Sequence, residues 1–192
     1  MEEQKKNAPD ALWRPMTQHK PLLNNRPKHI VRGEGCFMIN EDGDRILDAT
    51  AGLWCVNVGH GRKELAEVAK AQMEKLAYVI PVMTSDPAVE LSAKMLEMLG
   101  MDKGHVYFTS SGSEANETAF KIVRQYHLQS GNPRKSKIIS RHRAYHGNTL
   151  ATMSATGQAE RKIGYEPLAP GFLHVPPPYP YRRHAKFTVE EH

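Results

Sequence analysis

Cysteine is almost missing from this chain: among 192 residues only Cys36 and Cys55 carry a thiol. Two thiols without paired spacing exclude a disulfide framework and a cysteine-held zinc site, and they fit a reducing, cytoplasmic setting. Long apolar runs are missing too. None could span a bilayer, and Met1 to Asp10 is polar and charged, without the apolar stretch of a signal peptide. The formal net charge is +5, but the basic residues are scattered, so no nucleic-acid partner is expected and a solvated, mildly basic surface is. No internal repeat is visible. The length allows one ordinary domain with a sizeable core, and the apolar and charged fractions are those of a globular protein.

Two motifs are present only in part. Gly33-Glu-Gly35 lacks the strand before it and the helix after it, so it is not a dinucleotide site. His142 and His146 stand four apart, yet Arg141 and Arg143 would repel a cation between them and the glutamate of a zinc hydrolase is absent. No metal is expected.

What the chain does contain is a sequence of clear local signals. Leu12-Trp13-Arg14-Pro15-Met16 reads as an extended arm after a mobile start. Cys36 to Asn40 and Arg45 to Asp48 read as strands joined by Glu41-Asp42-Gly43-Asp44, in which Asp-Gly signals a hairpin. Ala51-Gly52-Leu53-Trp54 leaves that unit. A helix follows from about Arg62 to Ala77, with Leu65, Val68, Ala69, Met73 and Leu76 as its apolar stripe. Asp86-Pro87 starts another, which stops at Gly100. Lys137 to Ser140 reads as a strand, as does Phe172 to Val175, after which Pro176-Pro-Pro-Tyr-Pro180 makes an extended crossing.

The central stretch is Val106-Tyr-Phe-Thr-Ser-Ser-Gly-Ser-Glu-Ala-Asn-Glu117. Val106, Tyr107 and Phe108 read as a buried strand, and a helix from Glu114 presents Ala115, Ala119, Ile122, Val123 and Tyr126 on one face, ending near Ser130. Strand, helix and the strand at 137–140 then make a βαβ unit and part of a parallel sheet. Ser111-Gly112-Ser113 lies between, at the sheet edge where ligands collect. Helix starts leave amides without partners and carry partial positive charge, so an anion can be held there; Gly112 permits close approach and Ser111 and Ser113 add hydroxyl donors. The alternative is that Ser113 merely caps the helix. The residues alone leave both open.

Ser111-Gly-Ser-Glu-Ala-Asn116 resembles the cofactor-phosphate motif of the class III pyridoxal-phosphate aminotransferases. Asp48-Ala-Thr-Ala-Gly-Leu-Trp-Cys-Val-Asn-Val-Gly-His-Gly-Arg62 and Arg143-Ala-Tyr-His-Gly-Asn148 match the same family in the same order. The likeness runs from Gly33 to Tyr181. It implies an α/β fold of the fold-type I transferases, with an arm and part of a small antiparallel unit in residues 1–58 and the start of a parallel-sheet, cofactor-binding large domain in 59–192. It implies pyridoxal 5'-phosphate held by Ser111, Gly112 and Ser113, with Tyr145 stacked on its ring and His146 beside it or holding its own loop through the backbone. Trp54 maps onto a wall of the substrate pocket in the amine and ω-amino-acid branch, and Trp13 onto a segment near the active site and dimer interface. Each could instead be ordinary packing.

The implied reaction moves an amino group from a primary amine or an ω-amino acid, such as β-alanine or taurine, to pyruvate or another 2-oxo acid, in a homodimer. The family also needs a Schiff-base lysine, a carboxylate against the pyridinium nitrogen and an arginine for the acceptor, and no stretch here resembles their settings. The chain is therefore expected to be the N-terminal part of a longer enzyme, inactive alone, a weak cofactor binder at best, and left with exposed apolar faces. The alternative is a non-catalytic fragment that binds the cofactor or associates through those faces.

Overall fold

Asparagine, aspartate and glycine set the first unit. Asn40 is buried, and its Oδ1 accepts the Asp42 amide at 3.1 Å and the Asp44 amide at 2.7 Å, while its Nδ2 donates to Asp44 Oδ2 at 2.9 Å. Gly43 takes φ +88°, which the turn requires. This reverses the chain between β2, Phe37–Asn40, and β3, Arg45–Leu47, as the Asp-Gly signal implied. A strand not expected from sequence, β1 at Ile30–Glu34, pairs antiparallel on the other side of β2, with a register shift between Ile30 and Arg32.

The structure, a computed structural model, describes residues 11–22, 24–25, 27–182 and 188. The expected mobile start, Met1 to Asp10, lies outside them. The chain divides into two units, Met1–Thr84 and Ser85–His192. No helix among the described residues is long and apolar enough to cross a membrane.

After β3 the backbone turns the wrong way. Ala51, Gly52, Leu53 and Trp54 have φ of 49°, 59°, 60° and 65°, one turn of left-handed helix closed by Trp54 N donating to the Thr50 carbonyl at 2.9 Å. For the three residues with a Cβ this costs roughly 1–2 kcal/mol each, so something must hold it. Asp48, at the end of β3, receives the Gly52 amide, the Thr50 hydroxyl at 3.3 Å and His60 Nε2 at 2.9 Å. The Gly52 amide first, and then His60, hold the Asp48 carboxyl below its ordinary pKa of 3.8.

The sign of the pH effect follows. A depressed folded pKa stabilises the unit fully above 3.8, and the contribution disappears as pH falls through the lower, folded value. Carboxyl carbon resonances should give Asp48 a midpoint below 3.8, and the amide protection of the turn should fall across the same range. A midpoint at the ordinary value would contradict the arrangement. The helix α1, Lys63–Lys75, completes the unit with its stripe of Leu65, Val68 and Met73 exposed.

The second unit opens with α2, Asp86–Met98, which has Ser85 at its N-cap position, Pro87 in its first turn and Gly100 at φ +64° beyond its end. Next comes α3, Gly112–Gln129, ended by Gly131 at φ +76°. The strands β4, Ile138–Arg141, and β5, Phe172–Val175, pair in parallel, Ile138 beside Phe172 and Arg141 beside Val175. Between them runs the short helix α4, Leu150–Ala155. Its core is small and hydroxyl-rich. Thr152, Ser154, Ala155 and Thr156 are buried, and the buried Ser140 on β4 donates to the Ala155 carbonyl at 2.6 Å.

Two sequence expectations need correction. Val106, Tyr107 and Phe108 join no ladder among the described residues, so the parallel pair is β4 with β5 and not a βαβ unit built on 106–108. Tyr107 and Phe108 are exposed, and no described strand lies alongside to complete their hydrogen bonds. Nor does the predicted face of α3 pack: Ile122, Val123 and Tyr126 are exposed, while Phe120 meets Phe172 of β5 edge to face at 5.3 Å. Among the described residues Ile39 and Ala155 are the buried apolar side chains.

Candidate functional site

The start of α3 is capped from both sides. Ser111 Oγ accepts the Glu114 amide at 3.2 Å, and Glu114 Oε2 reaches back to accept the Ser110 amide at 2.9 Å. The cap that sequence offered to Ser113 thus belongs to Ser111. The Ser111 carbonyl takes the Ala115 amide at 3.0 Å. Two donors are left, the amides of Gly112 and Ser113, which have no acceptor among the described residues. A Cβ built on Gly112 would meet nothing within 4 Å. Open space, two free amides and the positive end of an 18-residue helix make a place for an anion.

Ser113 has a different task. Its Oγ accepts the Asn148 amide at 2.9 Å, which occupies a lone pair and leaves the hydroxyl proton to donate elsewhere. That bond is one of a set. On the same side of α3, Asn116 Nδ2 donates to the His146 carbonyl at 2.7 Å, and Glu117 Oε1 accepts the Thr149 hydroxyl at 2.6 Å and the Ala151 amide at 3.3 Å. From the other side His146 N donates to Thr156 Oγ1 at 3.0 Å. The segment that follows β4 is therefore laced to the helix start at residue after residue.

Gly147 lies where the two meet. Its φ is +137°, and a Cβ there would stand 2.5 Å from Thr152 Oγ1 and 2.6 Å from Ser113 Oγ. Only glycine fits. One residue earlier, the peptide of His146 does the holding that sequence allowed for it, while the ring contributes a buried Nε2 with no partner among the described residues. A buried donor or acceptor left alone is costly unless something fills its place.

Tyr145 stands at the carboxyl end of β4 and is 53% exposed. The Arg161 guanidinium lies over its ring at 5.1 Å from the centroid, within cation–π range. One face is thereby taken, and the residue as a whole is still half exposed. Nearby, His142 stacks on His174 at 5.4 Å, and His174 Nε2 faces the Ala155 and Thr156 carbonyls at 3.0 and 3.2 Å. No group of three His, Cys, Asp or Glu that could hold a metal stands together among the described residues.

Trp54 belongs to the other unit, on the left-handed turn, and is 77% exposed. Trp13 is also exposed, with its ring 5.1 Å from that of His19. The residues that sequence reading passed over are Glu117, Asn148, Thr149 and Thr156. The spacing of Ser113, Asn116 and Glu117, at i, i+3 and i+4, puts three polar side chains on one helix face; that was the available signal.

Residues 22–191 match the family described as Aminotransferase class-III. An uncharacterized aminotransferase of Bacillus subtilis is 57% identical over 151 residues, 79% of this chain and 33% of the relative. A taurine–pyruvate aminotransferase of Bilophila wadsworthia is 44% identical over 167 residues, 86% of this chain and 36% of the relative. The omega transaminase of Pseudomonas jessenii, solved in complex with PMP, superposes with a TM-score of 0.87 at 35% identity, over 94% of this chain and 40% of that one. The chain thus spans about a third of the length of the curated relatives it matches.

Proposed function

The chain belongs to the class-III aminotransferase family, and on that premise we propose that it supplies the phosphate-holding and ring-covering part of a transaminase that moves an amino group from a primary amine or ω-amino acid to pyruvate. The cofactor of this family is pyridoxal 5'-phosphate. The observation that carries the reading is the pair of unpartnered amides at Gly112 and Ser113, in front of open space, beside a segment that presents Tyr145. A dianionic phosphate and a flat ring need those two things. When bound, the cofactor supplies the electron-withdrawing ring on which the amino group is carried between donor and acceptor.

Each residue then has a part in holding that group. The Gly112 and Ser113 amides and the Ser113 hydroxyl bind the phosphate as donors; Ser111 holds the helix start open by capping it. Tyr145 covers one face of the ring and excludes water from it. His146, through Nε2, offers a hydrogen-bonding atom to the cofactor's surroundings. Trp54 walls the donor pocket, an assignment that rests on its place in the Asp48 to Arg62 motif. The donor class is read from a taurine–pyruvate relative. A lysine that carries the cofactor covalently has no candidate in this reading, so turnover requires fold beyond what these residues supply.

Titration of the labelled chain tests it. Pyridoxal phosphate should shift the Gly112 and Ser113 amide resonances, pyridoxal without its phosphate should not, and shifts confined to other residues would sink the proposal. Tyr145→Ala should weaken binding by about three- to tenfold, the equivalent of about 0.5–1.5 kcal/mol of stacking, and Tyr145→Phe should leave it nearly unchanged. If the two variants behave alike, the ring is not the contact.

A further inference from the structure

The left-handed turn Ala51–Trp54 is unfavourable by itself, and backbone in such a state persists only where its surroundings over-determine it. The surroundings here converge on one carboxylate. Asp48 is buried and collects three donors: the Gly52 amide from inside the turn, the Thr50 hydroxyl from its entry and His60 Nε2 from beyond its exit. The carboxylate therefore ties the two ends of the turn to its middle.

His60 is itself tied down through its backbone. Its amide donates to the Gly35 carbonyl at 2.7 Å and its carbonyl accepts the Gly35 amide at 3.1 Å. Its ring lies against Gly33, where a Cβ would come within 2.6 Å of the histidine Cβ and Cγ. Gly33-Glu-Gly35, which made no dinucleotide site, thus serves as the seat of a histidine. The turn is fastened through Asp48 to that seat and through Asp48 N, which donates to the Cys36 carbonyl at 2.9 Å, to the start of β2.

We propose that Asp48 and His60 are positioning residues for Trp54: together they keep Ala51–Trp54 left-handed and so fix the direction in which the Trp54 side chain leaves the backbone. With Trp54 read as a wall of the donor pocket, as above, the pair becomes a determinant of donor choice that touches no substrate. Losing it lets three strained residues relax toward negative φ and carries Trp54 with them.

The test is a backbone measurement on the 192-residue chain and needs no ligand. Trp54 N donates to the Thr50 carbonyl and Val56 N to the Ala51 carbonyl, at 2.9 and 2.8 Å, so the exchange of these two amides reports the turn. In His60→Ala their protection should fall by about tenfold or more, local opening being set by such bonds, while amides of α1 are unchanged. His60→Gln, which keeps a donor near the Nε2 position, should restore most of the protection. Undiminished protection in a folded His60→Ala overturns the proposal, and so does a His60→Gln that behaves like His60→Ala. Should His60→Ala lose protection throughout the unit, Asp48→Asn is read by the same criterion. The pocket-wall reading fails separately: a turn that loosens on loss of His60 in this chain, together with an unchanged donor preference when the tryptophan matching Trp54 is replaced by alanine in a turnover-competent class-III aminotransferase, sustains the clamp and removes only the wall.

Discussion

Replacing Gly157 by alanine is expected to lower the stability of the second unit by at least about 3 kcal/mol, an overpacking cost at the high end of the usual range. A Cβ on this residue would lie 2.1 Å from the Arg141 carbonyl oxygen, 2.6 Å from His142 Cα and 2.9 Å from the Arg141 carbonyl carbon. All three are backbone, so no rotamer can yield. The same residue is bonded on both sides, its amide to the Ala144 carbonyl at 2.8 Å and its carbonyl to the Arg143 amide at 2.9 Å. Moving it away would open the loop that carries Tyr145. Thermal unfolding followed by circular dichroism should show a midpoint lower by about 10 °C or more. Gly164→Ala separates space from conformation, since Gly164 has φ +86° but nothing within 4 Å of its Cβ position; its cost should be only about 1 kcal/mol. Equal losses in the two variants would show that close packing at Gly157 is not what matters.

The second large effect is on the cofactor. Gly147→Ala drives a methyl group between Thr152 Oγ1 and Ser113 Oγ. Thr152 is fully buried and bonded to Thr149, whose amide donates to its hydroxyl at 3.0 Å, so Ser113 is the side that must give way. Its displacement breaks the bond from the Asn148 amide and turns the hydroxyl away from the space in front of Gly112. Affinity for pyridoxal phosphate should fall by about 100-fold, the equivalent of about 2.7 kcal/mol, because one movement disturbs a donor to charge and the loop beside it. Ser113→Ala removes the hydroxyl without the intrusion, and about tenfold is expected. The ratio of the two losses, from titrations monitored at the Gly112 amide, checks the claim. If Ser113→Ala costs as much as Gly147→Ala, the lacing of the 146–151 segment contributes nothing to binding.

Local signals in the sequence carried far where the cause was local. Glycine after an apolar stripe stops α2 at Gly100 and α3 at Gly131 because both take positive φ. Asp42-Gly43 turns the hairpin because the side chain of Asn40 and the freedom of Gly43 act within five residues. The family and its cofactor were legible for a related reason, since the three motifs are short and each holds its chemistry in consecutive residues. The unpaired state of Val106–Phe108 and the exposed stripe of α3 were not legible. Periodicity states which residues want cover, but the cover is supplied by other elements.

Chain order alone therefore determined the β2–β3 hairpin, the helices α1, α2 and α3, the strands β4 and β5 and the hinge at Ser111–Ser113, while β1 and the unpaired state of residues 106–108 lay beyond it. The cap at Ser111 is local, three residues from Glu114, but tertiary structure decided that Ser113, Asn116 and Glu117 would be taken up by the segment after β4, through contacts between residues 30 to 35 positions apart. It also decided that Asp48 and His60, twelve apart, would hold a turn of the wrong hand. The physical reason is the same in both cases: a hydrogen bond is chosen by the position of its partner in space, and spacing shows at most which side chains share a face, not which distant group meets them.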